Sequence, residues 1–196
     1  RLATLAILSG YANTVAVLGV EKWSDLVRSE AEALISQELD YDYESIPGLT
    51  STAQAGMIMA RYLYENNLPP DALGGFAMLA HANGVNNPNA LFKFPLAPQS
   101  YAGPSKLSDP LSIYDGATYA DGAAALVLTR RELLPENFPH PVVRVLGSSA
   151  SSDALAWHDR HDPMVFSAAR KAVESAAIQA GILPVYADIF ELDDSF

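Results

Sequence analysis

One pattern recurs near both ends of the chain and restricts its fold more than any other. "LATLAILSG" (residues 2–10) has the texture of a buried helix closed by Gly10, and "TVAVLGVE" (14–21) follows as a short β-branched run. Far downstream, "VFSAARKAVESAAIQAG" (165–181) repeats helical spacing up to Gly181, and "PVYADIFEL" (184–192) follows as another apolar run. Glycine just past a helix is a stop signal. A short apolar run after it reads as a strand covered on both faces. Helix–Gly–strand twice over predicts an α/β layer architecture of two halves.

The second helix carries Ala169, Ala172, Ala176 and Ala180 at spacings of three and four, a small-residue face suited to close packing on a sheet. "GAAALVLTR" (122–130) and "PVVRVLGSSA" (141–150) read as further strands. Strand, helix, strand predicts a right-handed crossover between parallel strands.

Between residues 25 and 109 the texture changes. "STAQAGMIMARYLYENN" and "DALGGFAMLAHANG" have helical patterns, and "NNPNALFKFPLAPQSYAGPSKLSDP" is a long loop rich in Pro, Asn and Ser. Loops of that length are often functional. This stretch reads as an insertion over the core.

Composition narrows the chemistry. Net charge is −11 over 196 residues, which argues against nucleic acid or anionic membrane as the main partner. The absence of cysteine removes disulfides and thiolate chemistry from these residues and fits the cytoplasm. No apolar run reaches the ~18 residues that span a bilayer. "HDRHDP" (158–163) offers metal-ligand types, or a solvated loop before a helix. His81 sits near a helix end, where it either stabilises the C-terminus or meets a ligand. Lys93, Lys106, Arg130 and Arg131 are the basic groups near loop positions that could meet phosphates.

Five segments, in order, resemble the thiolase superfamily: "GVEKWSD" (19–25), "HANGVNNPNALF" (81–92), "SDPLSIYDGATYADGAAALVL" (108–128), "ALAWHDRHDP" (154–163) and "DIFELDDSF" (188–196). The last two are closest in pattern to the sterol-carrier-protein type. The resemblance implies a layered α/β/α/β/α fold with an inserted loop domain. Residues 1–26 and 112–140 would form the N-terminal-half core, 27–111 the loop domain, and 141–196 the start of the C-terminal-half core. It also implies that the sequence starts just after the family's nucleophilic cysteine and stops before its Gly-His-Pro histidine and second cysteine.

The implied activity is acyl transfer on coenzyme A thioesters, by Claisen condensation or its thiolytic reverse, in a homodimer or with a partner subunit. No cofactor or metal is implied beyond the CoA thioester substrate. Thiolate attack needs a lowered thiol pKa, and the intermediates need oxyanion donors. One such donor position is filled here by Asp193, and an ionised carboxylate donates nothing. Burial after an apolar strand, with Asp194 beside it, is expected to raise the Asp193 pKa. His81, Ala117 and Thr118 are the expected CoA contacts, Ala117 standing where the family has serine. The alternative is a non-catalytic thiolase-like subunit that binds acyl-CoA or a partner protein.

Overall fold

A computed structural model describes residues 1–193 and 195–196. In chain order the elements are α1 (Leu2–Leu8), β1 (Thr14–Glu21), α2 (Arg28–Ile35), α3 (Ser51–Glu65), α4 (Gly74–Val85), α5 (Pro98–Tyr101), β2 (Lys106–Ser108), β3 (Leu111–Ser112), β4 (Gly122–Thr129) and α6 (Ser167–Ala180). The protein is mixed α/β, and its contacts divide into two units.

The first unit comprises Arg1–Lys22, Asp121–Asp153 and Phe166–Glu191. Its sheet is a two-stranded antiparallel ribbon in which β1 pairs with β4 from Thr14↔Thr129 to Glu21↔Gly122. The outermost pair is joined through its hydroxyls, Thr14 Oγ1 to Thr129 Oγ1, at 2.8 Å. Helix α1 packs against both strands. Arg130, just past β4, turns inward and donates from Nη2 to the Ile7 carbonyl at 3.1 Å, satisfying an orphan acceptor at the end of α1. That fixes Arg130 in a structural position rather than at an anion site.

The helix and strand readings fare differently here. Helix α6 ends on left-handed Gly181 (φ 67°), which lets the Ile182 N–H return to the Ala177 carbonyl at 3.2 Å. The alanine face admits a close neighbour, since a methyl on Gly147 would collide with the Ala176 carbonyl. That neighbour is not a paired strand. Residues 141–150 and 187–192 join no ladder, so the parallel crossover expected there is absent among the described residues. A strand needs a partner edge for its N–H and C=O groups, and β1 and β4 pair only with each other. The expectation of strands covered on both faces is corrected too: Leu18 is 71% exposed and Val127 is 72% exposed. The apolar pattern is present; the cover is not.

The second unit comprises Trp23–Ala120, Ala154–Val165 and Leu192–Phe196. Residues 27–111 thus lie in one unit, and 141–196 are shared between the two. Met59 and Leu63 of α3 pack on Leu111 of β3. Ala77 of α4 packs with Leu96 and Tyr101. Thr50 caps α3 by accepting from the Ala53 N–H at 3.1 Å. Gly56 brings α3 against Ser108 of β2, where a Cβ would fall 2.8 Å from the serine Oγ.

Buried Glu44 draws residues 154–165 into this unit. Its Oε1 accepts from the Trp157 N–H at 2.9 Å and from Gln54 Nε2 at 3.2 Å, and its Oε2 accepts from the Asp40 N–H at 2.9 Å. Three donors are what a buried carboxylate requires. No helix of the described residues is long and apolar enough to cross a membrane.

Candidate functional site

His81, Ala117, Thr118 and Asp193 all fall in the second unit. His81 leaves the penultimate turn of α4 and meets an aromatic cluster. Its ring centroid lies 5.0 Å from that of Phe94, 6.0 Å from Phe92 in a stacked arrangement, and 5.8 Å from Tyr114 edge-on. Nδ1 is 3.1 Å from the Phe94 carbonyl. A carbonyl can only accept, so Nδ1 carries the proton, and in the neutral ring Nε2 is left as an acceptor. The bond ties the long loop back to the helix, an arrangement neither sequence reading of His81 anticipated.

Tyr114 lies in the turn at 113–115, and Ala117 and Thr118, both exposed, follow it. The Ala117 N–H donates to the Ser195 carbonyl at 3.0 Å. This bond joins the segment around Ala117 to the segment around Asp193. Gly116 makes room for it: a Cβ there would stand 2.5 Å from Leu107 Cδ1 and 3.9 Å from the Phe196 ring. Past Thr118, the Tyr119 ring packs on Trp23 with centroids 4.6 Å apart. Burial, and secondarily Glu38, push the Tyr119 phenol pKa up.

Asp193 is exposed, which corrects the expectation of burial. The residues before it form no strand, and Ile189 is 86% exposed, so the strand from which burial was expected is absent among the described residues. Its Oδ1 accepts from the Ser195 N–H at 3.2 Å and from the Ser195 O–H at 2.7 Å. That oxygen therefore serves as an acceptor within its own turn. Asp194, invoked beside it, lies outside the described residues.

Other candidates disperse. His158 Nε2 lies 3.5 Å from Asp159 Oδ1, and among the described residues no three such side chains converge to hold a metal. Lys93 Nζ donates to the Pro88 carbonyl at 2.7 Å. Two open clefts, of about 390 Å³ beside Leu63 and Pro110 and about 310 Å³ beside Tyr43 and Trp157, are lined by none of the four expected site residues.

Sequence reasoning missed Tyr101, Ser112 and Asp115. The Asp115 Oδ2 accepts from the Tyr101 O–H at 3.0 Å and from the Ser112 N–H at 2.8 Å. The Asp-Gly pair at 115–116 is a turn signal that points to this anchor.

No family model matches the chain. It is 32% identical over its whole length to an acetyl-CoA acetyltransferase of Methanocaldococcus jannaschii, and 30% identical to one of Methanothermobacter thermautotrophicus. Over 79% of its length it is 27% identical to the benzoylsuccinyl-CoA thiolase subunit BbsB of Thauera aromatica. The chain spans about half the length of these curated relatives or less (50%, 50% and 40%). Among solved structures it superposes on the Ltp2-ChsH2(DUF35) aldolase with a TM-score of 0.77 at 22% identity, covering 93% of this chain and 48% of that one. The fold is thus shared with about half of a known chain, and the sequence likeness is to thiolase-like acetyltransferases.

Proposed function

We propose that this chain is part of a cytoplasmic, thiolase-like acyltransferase of the sterol-carrier-protein type. It acts on acyl-CoA thioesters, by Claisen condensation or by thiolytic cleavage of 3-ketoacyl-CoA, and works as a dimer or with a partner subunit. The carrying observation is the 3.0 Å bond from the Ala117 N–H to the Ser195 carbonyl. It draws together two segments that separately resemble thiolase motifs. In this reading the whole protein has the layered α/β/α/β/α fold, and the unit around α3 and α4 is its inserted loop domain.

The residues in hand bind and orient. His81 Nε2 accepts a hydrogen bond from the amide arm of CoA, and the exposed backbone at Ala117 and Thr118 lies along that arm. The chain has no cysteine, so the thiolate comes from outside these 196 residues. Asp193 stands at an oxyanion position, where a donor is worth roughly ten- to a thousandfold in rate.

A second reading is favoured by one observation. Asp193 Oδ1 accepts from Ser195 and offers no donor, which suits a non-catalytic subunit that binds acyl-CoA or a partner protein.

Calorimetric titration of CoA tests the common ground. We expect binding to the wild-type chain and a loss of about three- to tenfold in His81→Ala, the factor carried by one hydrogen bond. A wild type that binds neither CoA nor acetyl-CoA overturns the acyltransferase reading and the acyl-CoA-binding form of the second. In the catalytically complete protein, Asp193→His retains or raises turnover and Asp193→Ala lowers it. A wild type that binds acyl-CoA without turning it over selects the second reading.

A further inference from the structure

The exposed turn at Ala117 and Thr118 owes its position to a buried assembly beneath it. Tyr101 is 3% exposed and Ser112 is 1% exposed. Both donate to the same oxygen of Asp115, from the phenol at 3.0 Å and the backbone N–H at 2.8 Å. The Ser112 O–H donates to the Tyr101 carbonyl at 3.4 Å, and the Asp115 N–H returns to the Ser112 carbonyl at 3.1 Å, closing the ring of contacts. The phenol ring cannot swing away. It lies against Gly74 so closely that a Cβ there would fall 2.5 Å from Tyr101 Cε1, and it packs with Ala77 and Leu96.

Two residues after this anchor, the Ala117 N–H meets Ser195. Four residues after it, Tyr119 is held on Trp23. One residue before it, Tyr114 touches His81. Asp115 is therefore the fixed point from which Tyr114 reaches the histidine and Ala117 reaches the Asp193 turn.

We propose that Tyr101 and Asp115 are positioning residues for the CoA-binding turn. The buried Tyr101 O–H, through Asp115, sets the backbone at Ala117 and Thr118 and the aromatic wall around His81. The inference rests on the acyl-CoA reading for the identity of the ligand, but not for the positioning itself. Burial, with the Asp115 hydrogen bond as second cause, pushes the Tyr101 phenol pKa up, so the donor keeps its proton across the physiological range.

Tyr101→Phe keeps the ring and deletes the hydroxyl. Amide hydrogen exchange, resolved by residue, reads the positioning without any ligand. The Ala117 amide should exchange about three- to tenfold faster than in wild type, the factor for one lost hydrogen bond, while Met59 and Leu63 in α3 hold their rates. CoA should bind more weakly by a similar factor, about three- to tenfold. Leu63→Val serves as the control: it lowers the melting temperature but leaves the CoA affinity unchanged.

Asp115→Ala, which removes the oxygen that both donors share, provides a second variant if Tyr101→Phe does not fold, and the same selective change is expected from it. An Ala117 rate within twofold of wild type, or uniform acceleration throughout the unit, overturns the proposal. Unchanged CoA affinity in Tyr101→Phe, with wild type binding normally, overturns the ligand half of it. Failure of wild type itself to bind CoA overturns the acyl-CoA reading and with it that half, and the exchange result then decides the positioning alone.

Discussion

The two units use apolar residues in opposite ways. In the first, the most strand-like sequence of the chain forms β1 and β4, and its Val and Leu side chains stand in the open. In the second, a less hydrophobic sequence broken by Pro, Asn and Ser buries Met59, Leu63, Ala77, Leu96, Tyr101 and Leu111. Ala3 is the one buried apolar residue of the first unit among those described. Hydrophobic pattern records what a segment requires as cover. It does not say that the cover lies in the same stretch of chain. The stretch that reads as an insertion is the one that completes its own core.

The sharpest way to break this contrast is to delete the same side chain in each unit. Leu63→Ala should cost about 2–5 kcal/mol, the range for a buried leucine that leaves a cavity. Leu18→Ala, at a position 71% exposed, should stay within about 0.5 kcal/mol. Denaturant unfolding of both variants checks the pair. Equal losses would mean that the sheet of the first unit is covered in solution.

Gly74→Ala asks how tightly the second unit is packed. The new methyl would press on a phenol ring that is itself buried, and overpacking of that kind costs about 1–3 kcal/mol. A change near zero would show that the Tyr101 ring can yield, and would weaken its role as an anchor.

The smallest expected effect is one of pH. The Tyr101 phenol pKa is raised in the folded state, while the unfolded chain releases that proton near pH 10. The contribution is therefore complete below about pH 10 and declines above it, because the unfolded state loses the proton first. Tyr119 is shifted in the same direction. Unfolding midpoints measured from neutral pH to about pH 11 should fall less steeply in Tyr101→Phe than in wild type, with the Tyr119 share remaining. Identical slopes would remove the argument for a buried phenol.

Much of the fold was legible where the determinants are local. Helices α3 and α4 follow from spacing, and the end of α6 follows from Gly181, whose backbone conformation few other residues adopt. The pairing of β1 with β4 was not legible, because register is decided by which edges meet across more than a hundred residues. Residues 142–146 and 187–192 have strand composition and no ladder, and composition alone cannot supply a partner. The exposure of Asp193 was misjudged for that reason, since its burial was inferred from a strand that does not form. Glu44 carried no signal at all. An acid in the polar stretch "YDYESIP", beside Asp42, looks solvated until Trp157 and Gln54 are found donating to it.

The bond from the Trp157 N–H to Glu44 spans 113 residues, and that span has an entropic consequence. Loop-closure entropy rises with the logarithm of length, about 0.6 kcal/mol per doubling. Contacts of α3 with β2 and β3, such as Gly56 with Ser108 and Met59 with Leu111, close a loop roughly half as long. The Trp157 segment closes the larger loop, at a greater entropic cost by about one such doubling. Elements held through few bonds are the first to let go during partial opening. The Asp193 turn, joined to the lobe through the Ala117 N–H, belongs with the elements whose local opening is expected to need the least free energy.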